Sequence, residues 1–135
     1  MFRTIAAILF YFGLATAALA QQSVVVPATM LSVPINISTA TTTLIITGAS
    51  GKSIYVTQMN IEATGTGNIQ YIAGTGATCG TNTVNLTGTY AFTAQTGLSV
   101  GVGNGTIWPL PSGFNLCAVT SAAVGMQGSL SYAIF

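Results

Sequence analysis

From residue 21 onward the sequence predicts a single all-β domain, and three observations carry that expectation. Thr, Val and Ile, which favour strands, and Gly and Ser, which favour turns, dominate the composition. Apolar and polar residues alternate with period two, and no stretch keeps the 3.6-residue period of a helix. Short apolar runs recur at regular intervals between Gly, Asn, Ser or Pro turns, the pattern of a β-sandwich or jelly roll.

Residues 1–20 stand apart as a secretory signal. Arg3 supplies the positive end, Ile5 to Leu14 the apolar stretch, and Ala18-Leu19-Ala20 the small-residue cleavage site, so the processed chain would begin at Gln21, cut after Ala20. The apolar stretch is shorter than the roughly 20 residues that span a bilayer, and no stable membrane span is expected after cleavage. Residues 21–40, with Pro27, Pro34 and many Ser and Thr, read as an extended N-terminal arm able to pair with a neighbour, and residues 41–135 as the β-sandwich domain.

Strand runs follow at 30–37, 41–47, 53–63, 68–73, 82–87, 98–102, 105–110 and 114–120. Pro34 demotes its run to an edge strand or a broken one, because it cannot donate to a ladder. In 53–63 the apolar phase changes from Ile54 and Val56 to Met59, Ile61 and Ala63, which predicts a bulge near Thr57 and Gln58 or burial on both faces. The last strand is the clearest. Val124, Met126, Gly128, Leu130, Tyr132 and Ile134 share one parity, and Gln127, Ser129 and Ser131 the other.

Removal of 20 of the 135 residues leaves 115, enough for one domain with a real core. In an oxidising compartment Cys79 and Cys117 read as a disulfide, with two buried free thiols as the alternative. The loop it closes, about 39 residues, is worth on the order of 4 kcal/mol in the chain-entropy model.

Charge narrows the functional classes further. Arg3, Lys52 and Glu62 are the charged side chains, and histidine is absent. A lone Lys52 cannot neutralise a run of phosphates, so nucleic acid is not an expected partner. General acid–base catalysis, a histidine-activated Ser or Thr, and a paired-carboxylate glycosidase all lack their residues within one subunit. No cofactor or metal site is expected, since two thiols without histidine fall short of a metal's ligand set. A net charge near zero removes self-repulsion and favours a homo-oligomer.

A few residues remain as candidates for a ligand or an interface. Lys52 and Glu62 would lie about 33 Å apart along one extended strand, so they read as two solvated charges unless a fold-back or a second subunit joins them. Trp108, with Tyr55, Tyr71, Tyr90 and Tyr132 as companions, is either core or a stacking platform for sugar rings, and core is the commoner fate. Gly74-Thr75-Gly76 and the Gly101–Gly105 segment continue into no phosphate-binding motif and read as turns or bulges. Asn36-Ile37-Ser38, Asn85-Leu86-Thr87 and Asn104-Gly105-Thr106 have the form of glycosylation acceptors, though chance accounts for them in so Asn- and Thr-rich a chain.

One resemblance covers residues 51–135. The Ile54-Tyr55-Val56 strand, the Gly74-Thr75-Gly76 turn followed by Cys79, the Leu116-Cys117 strand and the closing Gly128-Ser129-Leu130-Ser131-Tyr132 strand, in that order, resemble small β-sandwich proteins among phage virion structural proteins and related exported bacterial chains. The resemblance implies a jelly-roll-like sandwich, an oligomer, and a role in covering or decorating a particle, with no catalytic residue. The signal departs from it, because phage proteins assembled in the cytoplasm need none, and points to a secreted, periplasmic or cell-surface chain or to an unusual virion. Two other functions stand beside this one: a pilin-like fibre subunit assembling by strand exchange, and a carbohydrate-binding module using Trp108.

Overall fold

The computed structural model describes residues 29–102 and 105–135, so the expected signal, its Ala20–Gln21 cleavage point, residues 21–28 of the expected arm, and Asn104 lie outside the described residues. Among the described residues the chain forms ten strands and no helix: β1 Leu31–Ile37, β2 Thr42–Ile46, β3 Ile54–Ala63, β4 Gly67–Thr75, β5 Thr81–Asn85, β6 Tyr90–Phe92, β7 Thr96–Gly101, β8 Trp108–Pro109, β9 Asn115–Thr120 and β10 Met126–Ile134.

Two antiparallel sheets pack face to face. The first runs β1-β10-β3-β7, with β8 also on β3, and the second runs β2-β9-β4-β5, with β6 also on β4. The pairings β4 with β5, β3 with β7, β2 with β9 and β1 with β10 trace one long antiparallel ribbon. Rolling that ribbon lays β10 on β3 and β9 on β4, which is the winding of a jelly roll. The expected sandwich is therefore present, in its jelly-roll form.

The core lies between the sheets and is filled by the strand parity that the sequence shows. Met126 and Leu130 on β10, Met59, Ile61 and Ala63 on β3, and Ile69, Tyr71 and Ala73 on β4 are fully buried. Leu116 and Ala118 complete it from β9. The phase change in β3 is a bulge. Ser131 pairs with Gln58 and Tyr132 with Val56, so Thr57 is the extra residue, and its Oγ1 donates to the Ser131 carbonyl at 3.3 Å. The bulge restores Ile54 and Val56 to the core while Tyr55 and Gln58 both face outward.

The structure corrects the boundary between arm and domain. Residues 31–37 are an edge strand of the first sheet, paired along their whole length with β10, and Ile35 and Ile37 are buried in the core. Pro34 sits on that edge strand without interrupting it. The expected 105–110 strand shrinks to the two residues of β8, and β6 was not anticipated, because three residues carry too little alternation to read.

Cys79 and Cys117 form the expected disulfide, with their Cα atoms 6.2 Å apart. It lies on the outer face of the second sheet, where Ile72 and the two sulfurs make a small buried cluster separate from the main core. The loop carrying Cys79 sits directly on β4. A Cβ at Gly74 would meet the Cys79 carbonyl oxygen at 2.5 Å, so that position takes only glycine if the loop is to lie flat.

Candidate functional site

Trp108 belongs to the core. It is 8% exposed, and its ring packs on Tyr71 of the opposite sheet with centroids 5.0 Å apart. A sugar ring has no access to it, which removes the stacking platform that the sequence left open. Beside it, burial pushes the Tyr71 hydroxyl far above its ordinary pKa of 10.0, with the Tyr90 phenol adding to the shift. That hydroxyl has no hydrogen-bond partner among the described residues, and it stays a neutral phenol across the physiological range.

Lys52 and Glu62 are not brought together. Lys52 is exposed in the turn before β3 and Glu62 is exposed near the far end of that strand, which runs without folding back. No group of three or more His, Cys, Asp or Glu with metal-binding proximity occurs among the described residues. An open cleft of about 360 Å³ lies where the chain passes from β6 to β7, lined by Tyr90, Phe92, Thr93, Thr96 and Leu98 among others. Its Thr96 hydroxyl is already committed to the Thr93 carbonyl at 2.6 Å.

The most distinctive surface is the outer face of the first sheet. Strand alternation turns every second residue of β1, β10, β3 and β7 to this side, and the registers align them in rows. One row reads Asn36, Gln127, Glu62, Gly97, the next Pro34, Ser129, Asn60, Ser99, and the third Ser32, Ser131, Gln58, Gly101. Apart from half-buried Ser131 these positions are exposed. At strand spacings of about 4.8 Å and a two-residue rise of about 6.8 Å, the rows cover roughly 14 Å in each direction. Below them, Tyr55 stands edge-on to the C-terminal Phe135, ring centroids 5.4 Å apart, and Phe135 is 50% exposed.

The polar side chains of this face, like those of Thr81, Asn82 and Asn85 on β5, stand outside the side-chain hydrogen bonding found elsewhere among the described residues. On the second sheet and in the loops, polar side chains hold the fold: Gln70 donates to the Thr87 carbonyl, Thr83 to that of Cys79, and Asn115 to that of Gly76. Thr120 donates to the Thr39 carbonyl at 2.5 Å. Among the described residues, no hydrogen bond ties down the side chains of Gln58, Asn60, Glu62, Gln127 or Ser129. The alternation of β3 and β10 made these residues legible as a polar parity. Their alignment into one field required the register.

Comparison with family models, with curated proteins and with solved structures matches this chain to none of them.

Proposed function

We propose that this chain is an exported, non-enzymatic structural protein that self-associates to cover or decorate a larger surface, as the virion-type β-sandwich proteins resembled by residues 51–135 do. The observation that carries this reading is the state of the sheet edges. Edge strands present unpaired N–H and C=O groups, which proteins protect with charges, with Pro or by keeping the strand very short; β1 holds Pro34 and β6 and β8 are three and two residues long, so β2, β5 and β7 are the edges with none of these. Here no edge strand, from β1 and β2 to β5, β6, β7 and β8, holds a charged residue. Lys52 lies in a turn and Glu62 on an interior strand. All five residues of β5 are exposed, and Val84 in its middle is 46% exposed.

The jelly roll itself hosts capsid proteins, lectins and enzymes, so the fold is compatible with this role without deciding it. A buried disulfide fits an oxidising, extracytoplasmic location. No helix among the described residues is long and apolar enough to cross a membrane. Against the strand-exchange alternative, β1 already fills the edge beside β10 within the same chain among the described residues. The lectin reading through Trp108 loses its exposed ring.

Light scattering coupled to size exclusion tests the proposal on the chain lacking residues 1–20. A discrete oligomer is expected, and Val84→Lys, which places a charge on the β5 edge, is expected to shift it towards monomer with unchanged circular dichroism. A wild-type chain that stays monomeric at high concentration refutes self-association.

A further inference from the structure

We propose that two copies of this chain pair antiparallel along β7, about a two-fold axis through Ser99, so that their first sheets join into one. The inference rests on the self-association proposed above and assigns it a contact. An edge strand can extend its sheet by taking on another strand, and β7 ends the first sheet opposite β1. It pairs with β3 over the six residues Thr96–Gly101 without a register shift. Neither a charge nor a proline blunts it.

The order of residues in β7 selects a second copy as the partner. In an antiparallel pair, residues directly opposite each other face the same side of the sheet, and a two-fold contact sets every residue against one from the same patch. Such a strand must read alike in both directions. Gly97-Leu98-Ser99-Val100-Gly101 does so: glycine, aliphatic, serine, aliphatic, glycine. Centred on Ser99, the pairing sets Ser99 against Ser99 of the second copy, Leu98 against its Val100, and Gly97 against its Gly101. The other two unprotected edges lack this symmetry. About its own centre β2 would set Thr42 against Ile46, and β5 would set Asn82 against Val84.

Burial supports the same contact. Leu98 and Val100 pack against the core yet stay half-buried at the open edge, and the pairing lays an aliphatic side chain of the second copy beside each. The cleft of about 360 Å³ lies on this side too, between β7 and the Tyr90 and Phe92 of β6. One step further along the same register, Val102, which is 52% exposed, meets Thr96 of the second copy at the lining of that cleft. Charge does not oppose the contact. A two-fold pair brings any charge near the axis against its own copy, and β7 has none. The two Glu62 residues, each beside Gly97, end about 20 Å apart by strand spacing and rise, beyond the screening length of about 8 Å at physiological salt.

Thiol cross-linking and light scattering test the pairing on the chain lacking residues 1–20. Cys79 and Cys117 are bridged, so an introduced thiol is the one that reacts. Ser99→Cys, on the axis, should give a covalent dimer with a short bis-maleimide. Ser129→Cys, on the same face but on β10, should give none, because its mate would lie about 24 Å away across five strand spacings. Ser99→Lys sets two ammonium groups against each other and should weaken the dimer about tenfold with unchanged circular dichroism. Val84→Lys, on the other sheet, should leave the Ser99→Cys cross-link intact. An oligomer that Ser99→Lys does not weaken, or equal cross-linking of Ser99→Cys and Ser129→Cys, overturns the β7 pairing and leaves self-association standing through another edge. A wild-type chain that stays monomeric overturns both. Loss of the oligomer on removing residues 21–28, with no Ser99→Cys cross-link, would give the contact to the arm and overturn the pairing as well.

Discussion

Gly128→Ala offers the sharpest test of how the two central strands are held together. Gly128 lies in β10 between Ile35 of β1 and Ile61 of β3, at φ +156°, where side chains are rare. A Cβ at this position collides with the Asn60 carbonyl oxygen and comes within 2.8 Å of its carbon and 2.9 Å of the Ile61 Cα. All three are backbone atoms of the paired strand, so no side-chain rotation relieves the contact. Either the φ angle moves, at about 1–3 kcal/mol, or β10 shifts away from β3, an overpacking cost of about 1–3 kcal/mol. The expected loss is about 3 kcal/mol, a large share of the roughly 5–15 kcal/mol that stabilises a domain. Guanidinium unfolding followed by the fluorescence of Trp108, the single tryptophan and a core residue, reads it directly. Gly88→Ala is the control: no atom lies within 4 Å of its Cβ position, and a change within about 0.5 kcal/mol is expected. If Gly128→Ala unfolds within about 0.5 kcal/mol of the wild type, the close approach of β10 to β3 does not limit stability and the reasoning fails.

Two further predictions follow from the disulfide and the buried phenol. Replacing Cys79 and Cys117 together by Ala should cost about 2–5 kcal/mol, and calorimetry should show a matching fall in the wild-type midpoint under reductant; an unchanged midpoint would show that the bridge contributes nothing. Because the folded-state pKa of Tyr71 is raised above its unfolded value near 10.0, its contribution is complete below that pH and is lost as pH rises. Stability should therefore fall by up to about 1.4 kcal/mol per pH unit above pH 10 from this residue. Tyr71→Phe should remove that part of the slope and, by deleting a buried hydroxyl without a partner, leave neutral-pH stability equal or slightly higher. An identical alkaline slope in the variant would place the titration elsewhere.

Much of the architecture was legible in local residue order. The parity of Met126, Leu130 and Ile134 placed β10 half in the core, and the phase slip in β3 pointed to a bulge near Thr57 and Gln58 or to burial on both faces, of which the register gives the bulge. Pro34 marked an edge strand or a broken one, and two cysteines in a chain expected to be exported pointed to their bridge. These are features that a strand's two-residue period or a residue's own chemistry writes into a few neighbouring positions. The misplaced boundary has the complementary cause: residues 31–37 look like an arm until Ile35 and Ile37 are seen filling the core beside β10, nearly a hundred residues later in the chain.

The functional surface divides in the same way. Composition alone set which charged side chains the chain carries, Arg3, Lys52 and Glu62, because a residue's chemical identity does not depend on the fold. Only the tertiary structure decided that Trp108 turns inward onto Tyr71, that no edge strand among the described residues carries a charge, and that Gln58, Asn60 and Glu62 share one field with Ser129 and Gln127. Alternation tells which side of its own strand a residue takes. Which strands lie next to each other, and at what register, is set by how the ribbon rolls to bury both apolar faces at once, and that is a property of the whole chain.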